Sequence, residues 1–229
     1  MLTVHHLSVS QSDRLIWLCE ELSIPYDLKV YKRDPLLAPP DYAALHPLSA
    51  APVIQDGPNI TIAESAACVE YIIHTHGGGR LSIAPGKQNY ADYLYWFHFA
   101  NGTLQPAVSR NMVLRLSGLK ADTNPVVARL ETKLAQVLSF MDQRLQKCEW
   151  LAGDVFTAAD VMAVTSLTTM RSFYGYDLGP YLGLLGWLGR VKGREAWRVA
   201  MGKADPELDL EALTGAKGPE VFGALRGMA

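Results

Sequence analysis

The chain has 229 residues, of which 49% are hydrophobic, and its formal net charge at pH 7 is −2. This length allows one large domain or two small ones, and the absence of any basic or acidic block argues against a nucleic-acid partner. The three cysteines, Cys19, Cys68 and Cys148, have no metal-ligand spacing, so we expect no metal site and a reducing, cytoplasmic environment. We expect neither a signal peptide nor a membrane span, because no apolar run is long enough to cross a bilayer.

The first residues predict a strand, a helix and a second strand. The strands are expected at 2–5 and 26–31, and between them apolar side chains recur every three or four positions from Arg14 to Leu22, which is typical of a helix. A right-handed crossover makes two such strands parallel. A polar, proline-rich loop and a short helix at 40–45 follow.

Two short segments after this loop carry binding chemistry. Pro52 opens a strand and therefore marks a sheet edge or a special backbone, because proline cannot donate to a ladder. A cis bond there would leave the backbone amide and carbonyl of Val53 facing an extended peptide. After a glycine turn and another strand, Glu64 and Ser65 begin a helix at 65–73, where free amides and a hydroxyl suit a carboxylate and the acid suits an ammonium.

The strand and helix order βαβ–ββα predicts an α/β thioredoxin-like domain at 1–80, followed by a linker at 81–87. Residues 88–229 predict an all-α helical domain. Thr157 and Asp160 approximate a capping box at the start of one of its helices. The helices are expected at 90–116, 125–145, 160–172, 181–191 and 195–201.

Motifs along nearly the whole chain, to about residue 200, resemble the glutathione S-transferase family, in particular serine-type cytosolic members from fungi and bacteria. The segments that carry the resemblance are 6–7, 14–22, 25–26, 31–34, 38–40, 46–48, 102–106 and 153–160, together with the Pro52 and Glu64–Ser65 segments. The resemblance implies that glutathione, which joins an amino-acid head, a peptide body and a thiol, is the co-substrate. It also implies attack on an electrophilic small molecule, a role in detoxification, a homodimer, and no metal or redox cofactor.

The resemblance also implies a catalytic serine, which in this family stands four residues before a basic residue at the start of the first helix. Ser10 and Arg14 have this spacing, and Ser12 is the alternative. A hydroxyl that donates to sulfur stabilises the thiolate, and the helix N-terminus adds a favourable dipole. The expected glutathione-binding residues on this basis are Ser10, Val53, Glu64 and Ser65.

One departure concerns the glycine carboxylate of glutathione. Family members commonly have glycine and then a lysine or arginine before the strand-opening proline, whereas this chain has Ser49 and Ala50. Lys32, Arg33 and His46 are the candidates to pair with that carboxylate instead.

The acceptor pocket is expected between the Ser10 loop and the first helix of the C-terminal domain. His98, Asn101 and Gln105 are spaced by three and four residues and would share one helix face. The polar tail from Asp205 could fold over this pocket or be disordered. Two other functions remain open: a glutathione-dependent isomerase or biosynthetic enzyme, and a non-catalytic glutathione-binding regulator, which Ala50 favours.

Overall fold

The computed structural model describes residues 1–225, whose contacts divide the chain into two units. The first unit contains residues 1–82 and 192–208, and the second contains 83–191 and 209–225. The sequence places 192–208 in the helical domain. In the structure, however, the helix in this segment packs on the first helix of the chain, which explains its grouping with the N-terminal residues. Among the described residues, no helix is both long and apolar enough to cross a membrane.

The first unit is built on one four-stranded sheet. Its elements up to residue 82 are β1 (Leu2–Leu7), α1 (Asp13–Leu22), β2 (Asp27–Tyr31), α2 (Pro40–Ala43), β3 (Val53–Asp56), β4 (Ile60–Ala63) and α3 (Ser65–Thr75). The strand order is β2-β1-β3-β4, with β1 parallel to β2 and both the β1–β3 and β3–β4 pairs antiparallel. The βαβ–ββα order and the thioredoxin-like fold class are thereby confirmed.

The remaining elements are helical. In chain order they are α4 (Tyr90–Phe99), a π-helical turn (Ala100–Leu104), α5 (Gln105–Leu116), α6 (Pro125–Leu145), α7 (Ala158–Leu167), a 3₁₀ turn (Thr169–Ser172), α8 (Leu182–Gly193), α9 (Glu195–Ala204), α10 (Leu210–Thr214) and a final 3₁₀ turn (Gly223–Leu225). Of these, α9 belongs to the first unit. The prediction of an α/β part followed by helices is therefore confirmed as a fold class.

Pro52 lies just before an interior strand and not at a sheet edge, since β3 is hydrogen-bonded to β1 on one side and to β4 on the other. The Ala51–Pro52 peptide bond is cis. The first paired residue of β3 is Val53, so the ladder does not require an amide hydrogen from the proline. Of the two predicted explanations for this proline, the special backbone is correct.

Helix α1 is buried on almost every side, including the guanidinium of Arg14. It contacts the sheet through β1 and contacts α9 most extensively, and α9 buries Trp197, Ala200 and Met201 among others. Two ion pairs join these helices at their surfaces, from Arg194 to Glu21 and from Lys203 to Glu20. Burial on both sides explains why α1 is apolar over more than one face.

Helix α7 is the most buried helix of the second unit, and all ten of its residues are buried. Its start confirms the predicted capping box, because Thr157 and Asp160 bond each other's backbone. The Asp160 carboxylate also accepts hydrogen bonds from the backbone N–H of Leu151 and from the indole N–H of Trp187. Burial raises the pKa of Asp160 to about 6, although these hydrogen bonds lower it.

Two predicted helices are interrupted. The helix expected at 90–116 contains the π-helical turn, which ends at Leu104, two residues before Pro106. Because proline has no amide hydrogen and its ring clashes with the preceding turn, a locally wider turn accommodates it. The helix expected at 160–172 ends at Leu167, where Thr168 leaves helical geometry and a 3₁₀ turn follows.

Candidate active site

The loop between β1 and α1 holds the predicted catalytic serine in a constrained backbone. Val9 has φ of 53°, a region that a β-branched residue rarely occupies. The Val9 amide donates to the Asp205 carboxylate at 3.0 Å, and the Arg33 guanidinium donates to the carbonyls of Ser8 at 2.8 Å and Val9 at 3.0 Å. Asp205 accepts from the amide of Val9 and Arg33 donates to its carbonyl, so together they fix the loop conformation at this residue.

Four side chains of this region form a hydrogen-bonded network, which we call the Ser–His–Asp network: Ser10, Ser12, His6 and Asp205. The hydroxyl oxygens of Ser10 and Ser12 are 2.7 Å apart. Ser12 Oγ lies 2.8 Å from His6 Nδ1, and His6 Nε2 lies 3.1 Å from Asp205 Oδ2. The network is buried, and Ser10, at 8% exposure, is its most exposed member.

The cis-proline segment is tied to this loop. The Gln11 side chain donates from Nε2 to the carbonyl oxygen of Ala51 at 2.7 Å. Val53 follows directly and pairs with His5 of β1 and with Ala63 of β4. The end of β1, the start of β3 and the end of β4 therefore lie at the same end of the sheet, where these strands begin or finish.

The Glu64–Ser65 pair begins α3 at that end of the sheet, as predicted. Glu64 is exposed and has φ of 70°, an uncommon value for a residue with a side chain, whereas Ser65 is buried. Arg14 donates from Nη1 to Ser65 Oγ at 3.2 Å, which links the starts of α1 and α3. Burial lowers the pKa of Arg14 to about 10, and the nearby charge of Asp13 opposes that shift.

The three basic candidates for the glycine carboxylate are placed differently. Arg33 uses its guanidinium on the loop, and in addition donates to the carbonyl of Leu36 at 2.5 Å. Lys32 is exposed, and His46 accepts from the backbone N–H of Leu48 through Nδ1 at 3.3 Å. The contacts of Arg33 support a role in holding the loop rather than a ligand.

The three acceptor-pocket candidates lie in the second unit, around the π-helical turn. His98 is exposed in the last turn of α4, Asn101 is within the π-helical turn, and Gln105 is the first residue of α5. A π-helical turn holds more residues than an α-helical turn. Spacing by three and four residues therefore does not keep these side chains in one line, and a role in a pocket stays a prediction for each.

The sequence interpretation missed His6, Asp205 and the contact made by Arg14. Strand alternation gave a usable signal for His6, because it shares parity with Leu2 and Val4 and so belongs to a buried face. Nothing local indicates Asp205, which is 199 residues from its partner His6. Within residues 1–225, the structure contains no cluster of three or more histidine, cysteine or acidic side chains that could hold a metal ion.

Comparison with known proteins identifies the same family from both parts of the chain. Residues 10–75 match the glutathione S-transferase N-terminal domain, and residues 100–195 match the C-terminal domain of that family. Glutathione S-transferase 3 of Schizosaccharomyces pombe is 32% identical over 223 residues, which cover 90% of this chain and 88% of the relative. Glutathione S-transferase 1 of Saccharomyces cerevisiae is 24% identical, with 89% and 95% coverage.

Solved structures agree with this result. A glutathione S-transferase from Actinobacillus pleuropneumoniae superposes with a TM-score of 0.82 at 26% identity and covers 92% of this chain and 96% of its own. The glutathione transferase URE2P8 from Phanerochaete chrysosporium, solved with oxidized glutathione, has the same fold, with a TM-score of 0.71, 21% identity, and 90% and 95% coverage. The chain belongs to the glutathione S-transferase family.

Proposed function

We propose that the protein is a glutathione transferase in which Ser10 holds the thiolate of glutathione for attack on an electrophilic carbon. The observation that carries this proposal is that three segments meet at one end of the sheet. They are the Ser10 loop, the start of β3 at Val53, and the Glu64–Ser65 start of α3. A hydroxyl, an extended backbone and a helix N-terminus suit the thiol, the peptide body and the amino-acid head of glutathione.

Ser10 can activate sulfur because the thiolate, and not the thiol, is the nucleophile. A free thiol has a pKa of about 8.5, so little of it is ionised near pH 7. A hydrogen bond from Ser10 stabilises the thiolate over the thiol. The positive end of the α1 dipole, at the helix N-terminus, stabilises the thiolate as well. The low exposure of Ser10 strengthens both effects, because water screens them less.

The opposite end of glutathione would lie at the start of α3. Its γ-glutamyl carboxylate fits the Ser65 hydroxyl and the first free amides of the helix, and its ammonium fits the exposed carboxylate of Glu64. The buried cation of Arg14, which donates to Ser65, adds positive potential beneath that carboxylate. This placement keeps the charged head away from the sulfur.

Replacing Ser10 with alanine tests the proposal. Loss of one hydrogen bond to a charged sulfur, about 1.5–3 kcal/mol, should raise the pKa of the bound thiol by about one to two units. Conjugation of a standard electrophile near pH 7 should fall strongly, while affinity for S-methylglutathione changes little. The measurements are the pH dependence of thiolate absorbance in the complex and kcat/KM.

Ser8→Ala is the matched control, since Ser8 lies on the same loop but outside the Ser–His–Asp network. It should leave the thiol pKa unchanged. If Ser10→Ala retains the thiol pKa and the rate of conjugation of the unmodified protein, Ser10 is not the residue that holds sulfur.

We also propose that the protein is a homodimer of the cytoplasm. Support for a dimer comes from an exposed aromatic cluster on the second unit, in which Tyr95 of α4 and Phe140 of α6 are 51% and 47% exposed and pack on Trp96 and Phe99. A second copy that covers these rings would remove apolar surface from water. The buried, free thiols of Cys19 and Cys68 suit a reducing compartment.

Sedimentation equilibrium should give twice the single-chain mass of 25.1 kDa. Tyr95→Lys should shift the equilibrium toward the monomer, whereas Val126→Lys, at another exposed apolar position, should not. A single-chain mass at every concentration would rule out the dimer.

A further inference from the structure

When Asp205 is ionised and His6 is neutral, the direction of each hydrogen bond in the Ser–His–Asp network follows from counting its protons. An ionised carboxylate only accepts hydrogen bonds, so Asp205 requires a proton on His6 Nε2. In the neutral imidazole the other nitrogen, Nδ1, has no proton and accepts one from the Ser12 hydroxyl. Ser12 has then used its only proton, so the Ser10 hydroxyl donates to Ser12.

This order of hydrogen bonds has a consequence for sulfur. While His6 is neutral, the only hydroxyl proton of Ser10 is directed at Ser12 and is not available to a thiolate. One lone pair of Ser10 Oγ receives the backbone N–H of Ser12 at 3.3 Å, and the other can accept from a ligand. Ser10 therefore presents an acceptor to an incoming thiol, and it becomes a donor only when the whole network reverses.

The direction of these hydrogen bonds reverses if His6 Nδ1 gains a proton. The thiol of glutathione carries a proton that it could supply. We propose that His6, with Asp205 as its counterion, receives the thiol proton of glutathione through Ser10 and Ser12. This inference rests on the proposed function of Ser10.

The transfer balances atom by atom. The S–H bond breaks as a proton moves to Ser10 Oγ, the original Ser10 proton moves to Ser12 Oγ, and the original Ser12 proton moves to His6 Nδ1. The products are a thiolate and an imidazolium, so the net charge of the site does not change. Ser10 now donates to the thiolate, Ser12 to Ser10, and His6 to both Ser12 and Asp205. After the thioether forms, the network returns to its first state by the reverse path and releases the proton to solvent.

The surroundings of His6 favour this role. Its ring is fully buried and lies between Ser12, the N-cap residue of α1, and Asp205, the C-cap residue of α9, so the carboxylate faces the ring nitrogen opposite the serines. Arg33 interacts electrostatically with Asp205, and its guanidinium is bonded to the loop carbonyls. On α1, Asp13 and Arg14 are both buried and interact with each other.

Holding the loop alone does not require this arrangement. The Val9 amide already binds Asp205 without His6, and Arg33 secures the neighbouring carbonyls. A buried imidazole that is bonded to a carboxylate on one side and to two hydroxyls in series on the other is suited to accept a proton.

The unmodified protein provides the first test. Near pH 7, glutathione and S-methylglutathione are each titrated into it by calorimetry in buffers of different ionisation enthalpy, which counts the protons released. We expect thiolate absorbance with glutathione and no more protons released than with S-methylglutathione, because His6 retains the proton. Nitrogen NMR of the His6 ring should show protonated Nδ1 with glutathione only.

One extra proton released for each thiolate formed would overturn the inference and leave the proposed function intact. Binding without any thiolate would overturn both. These outcomes are read from the unmodified protein, so they do not depend on whether a variant folds.

Variants give the second test. In His6→Asn, the amide oxygen still accepts from Ser12 but cannot hold a proton, so any thiolate that forms should release one proton to the buffer. Its kcat/KM near pH 7 should fall by about 10²-fold or more. Affinity for S-methylglutathione should be unchanged, because this ligand has no thiol proton.

The matched control is His5→Asn on the same strand. His5 bonds Tyr31 and Gln55 and lies outside the Ser–His–Asp network, so its replacement should leave proton release and kcat/KM unchanged. Equal proton release by the unmodified protein and His6→Asn would show that His6 is structural only.

Discussion

At the scale of single residues, the contacts of the Arg33 guanidinium bear most directly on which residue pairs with the glycine carboxylate of glutathione. Its hydrogen bonds to the carbonyls of Ser8 and Val9 hold the loop between β1 and α1, and a third hydrogen bond goes to the carbonyl of Leu36. For the glycine carboxylate of glutathione, we therefore propose Lys32, His46 or water as the partner. Ala50, at the position where the family resemblance implies a basic residue, is exposed and stands two residues before the cis-proline.

Ala50→Arg should therefore tighten glutathione binding. The gain should be that of a partly exposed ion pair, about 0.2–1 kcal/mol, and it should shrink as salt rises because exposed charges are screened. Calorimetric titration at low and high salt measures it. The gain should vanish for a glutathione analogue that lacks the glycine carboxylate, and Ala91→Arg, which adds the same charge to the second unit, should have no effect. An equal gain for the analogue would show that Ala50 does not face that carboxylate.

At the scale of elements, helix boundaries were predictable where a side chain caps them. The start of α6, Pro125–Leu145, agrees with the sequence because Asn124 accepts from the first amides and Pro125 suits the first turn. The capping box of α7 was equally readable. The π-helical turn and the end of α7 at Leu167 were not, because the apolar periodicity continues through both and packing decides where the helix changes.

The candidate site was predictable to the same extent and for a similar reason. Local motifs contain Ser10, Val53 and Ser65, and strand order brings these residues to one end of the sheet. His6 and Asp205 become partners only through packing between the beginning of the chain and the end of α9. Contacts of this range leave no local pattern in the sequence.

Asp160→Asn should destabilise the second unit without altering the chemistry of the site. Each carboxylate oxygen of Asp160 accepts two hydrogen bonds, one from Leu151 and one from Trp187 on Oδ1, and two from Thr157 on Oδ2. An amide nitrogen in either position would face two donors, which should cost about 3 kcal/mol of unfolding free energy. Urea unfolding followed by tryptophan fluorescence measures the loss. Asp154→Asn, at an exposed position, is the control, and equal midpoints for the two variants would contradict the role of the cap.

At the scale of the whole molecule, the chain leaves the first unit at residue 82 and returns to it at 192. The returning helix, α9, completes the packing around α1 and places Asp205 on the Val9 amide and on His6. The residues proposed to bind glutathione all precede residue 66, but the conformation of their loop depends on a carboxylate near the end of the sequence.

Trp197→Ala should show this dependence. Trp197 is 1% exposed on α9, and its truncation should reduce the unfolding free energy of the first unit by about 3–5 kcal/mol. Glutathione affinity should fall as well, because α9 positions Asp205. Urea unfolding and calorimetry measure the two effects. Val199→Ala, on the same helix but 38% exposed, should change neither. Normal glutathione affinity in a destabilised Trp197→Ala protein would show that glutathione binding does not depend on the packing of α9.

The contact between Val9 and Asp205 spans 196 residues, and a ribosome makes the chain from Val9 toward Asp205. The sheet and α1 can emerge early, but the loop that carries Ser10 lacks its carboxylate partner until residue 205 has been synthesised. Before that moment, the face of α1 that α9 covers is exposed to water. A nascent chain would therefore complete part of its fold before its proposed glutathione site, so a polypeptide that ends before residue 205 is not expected to activate the thiol of glutathione.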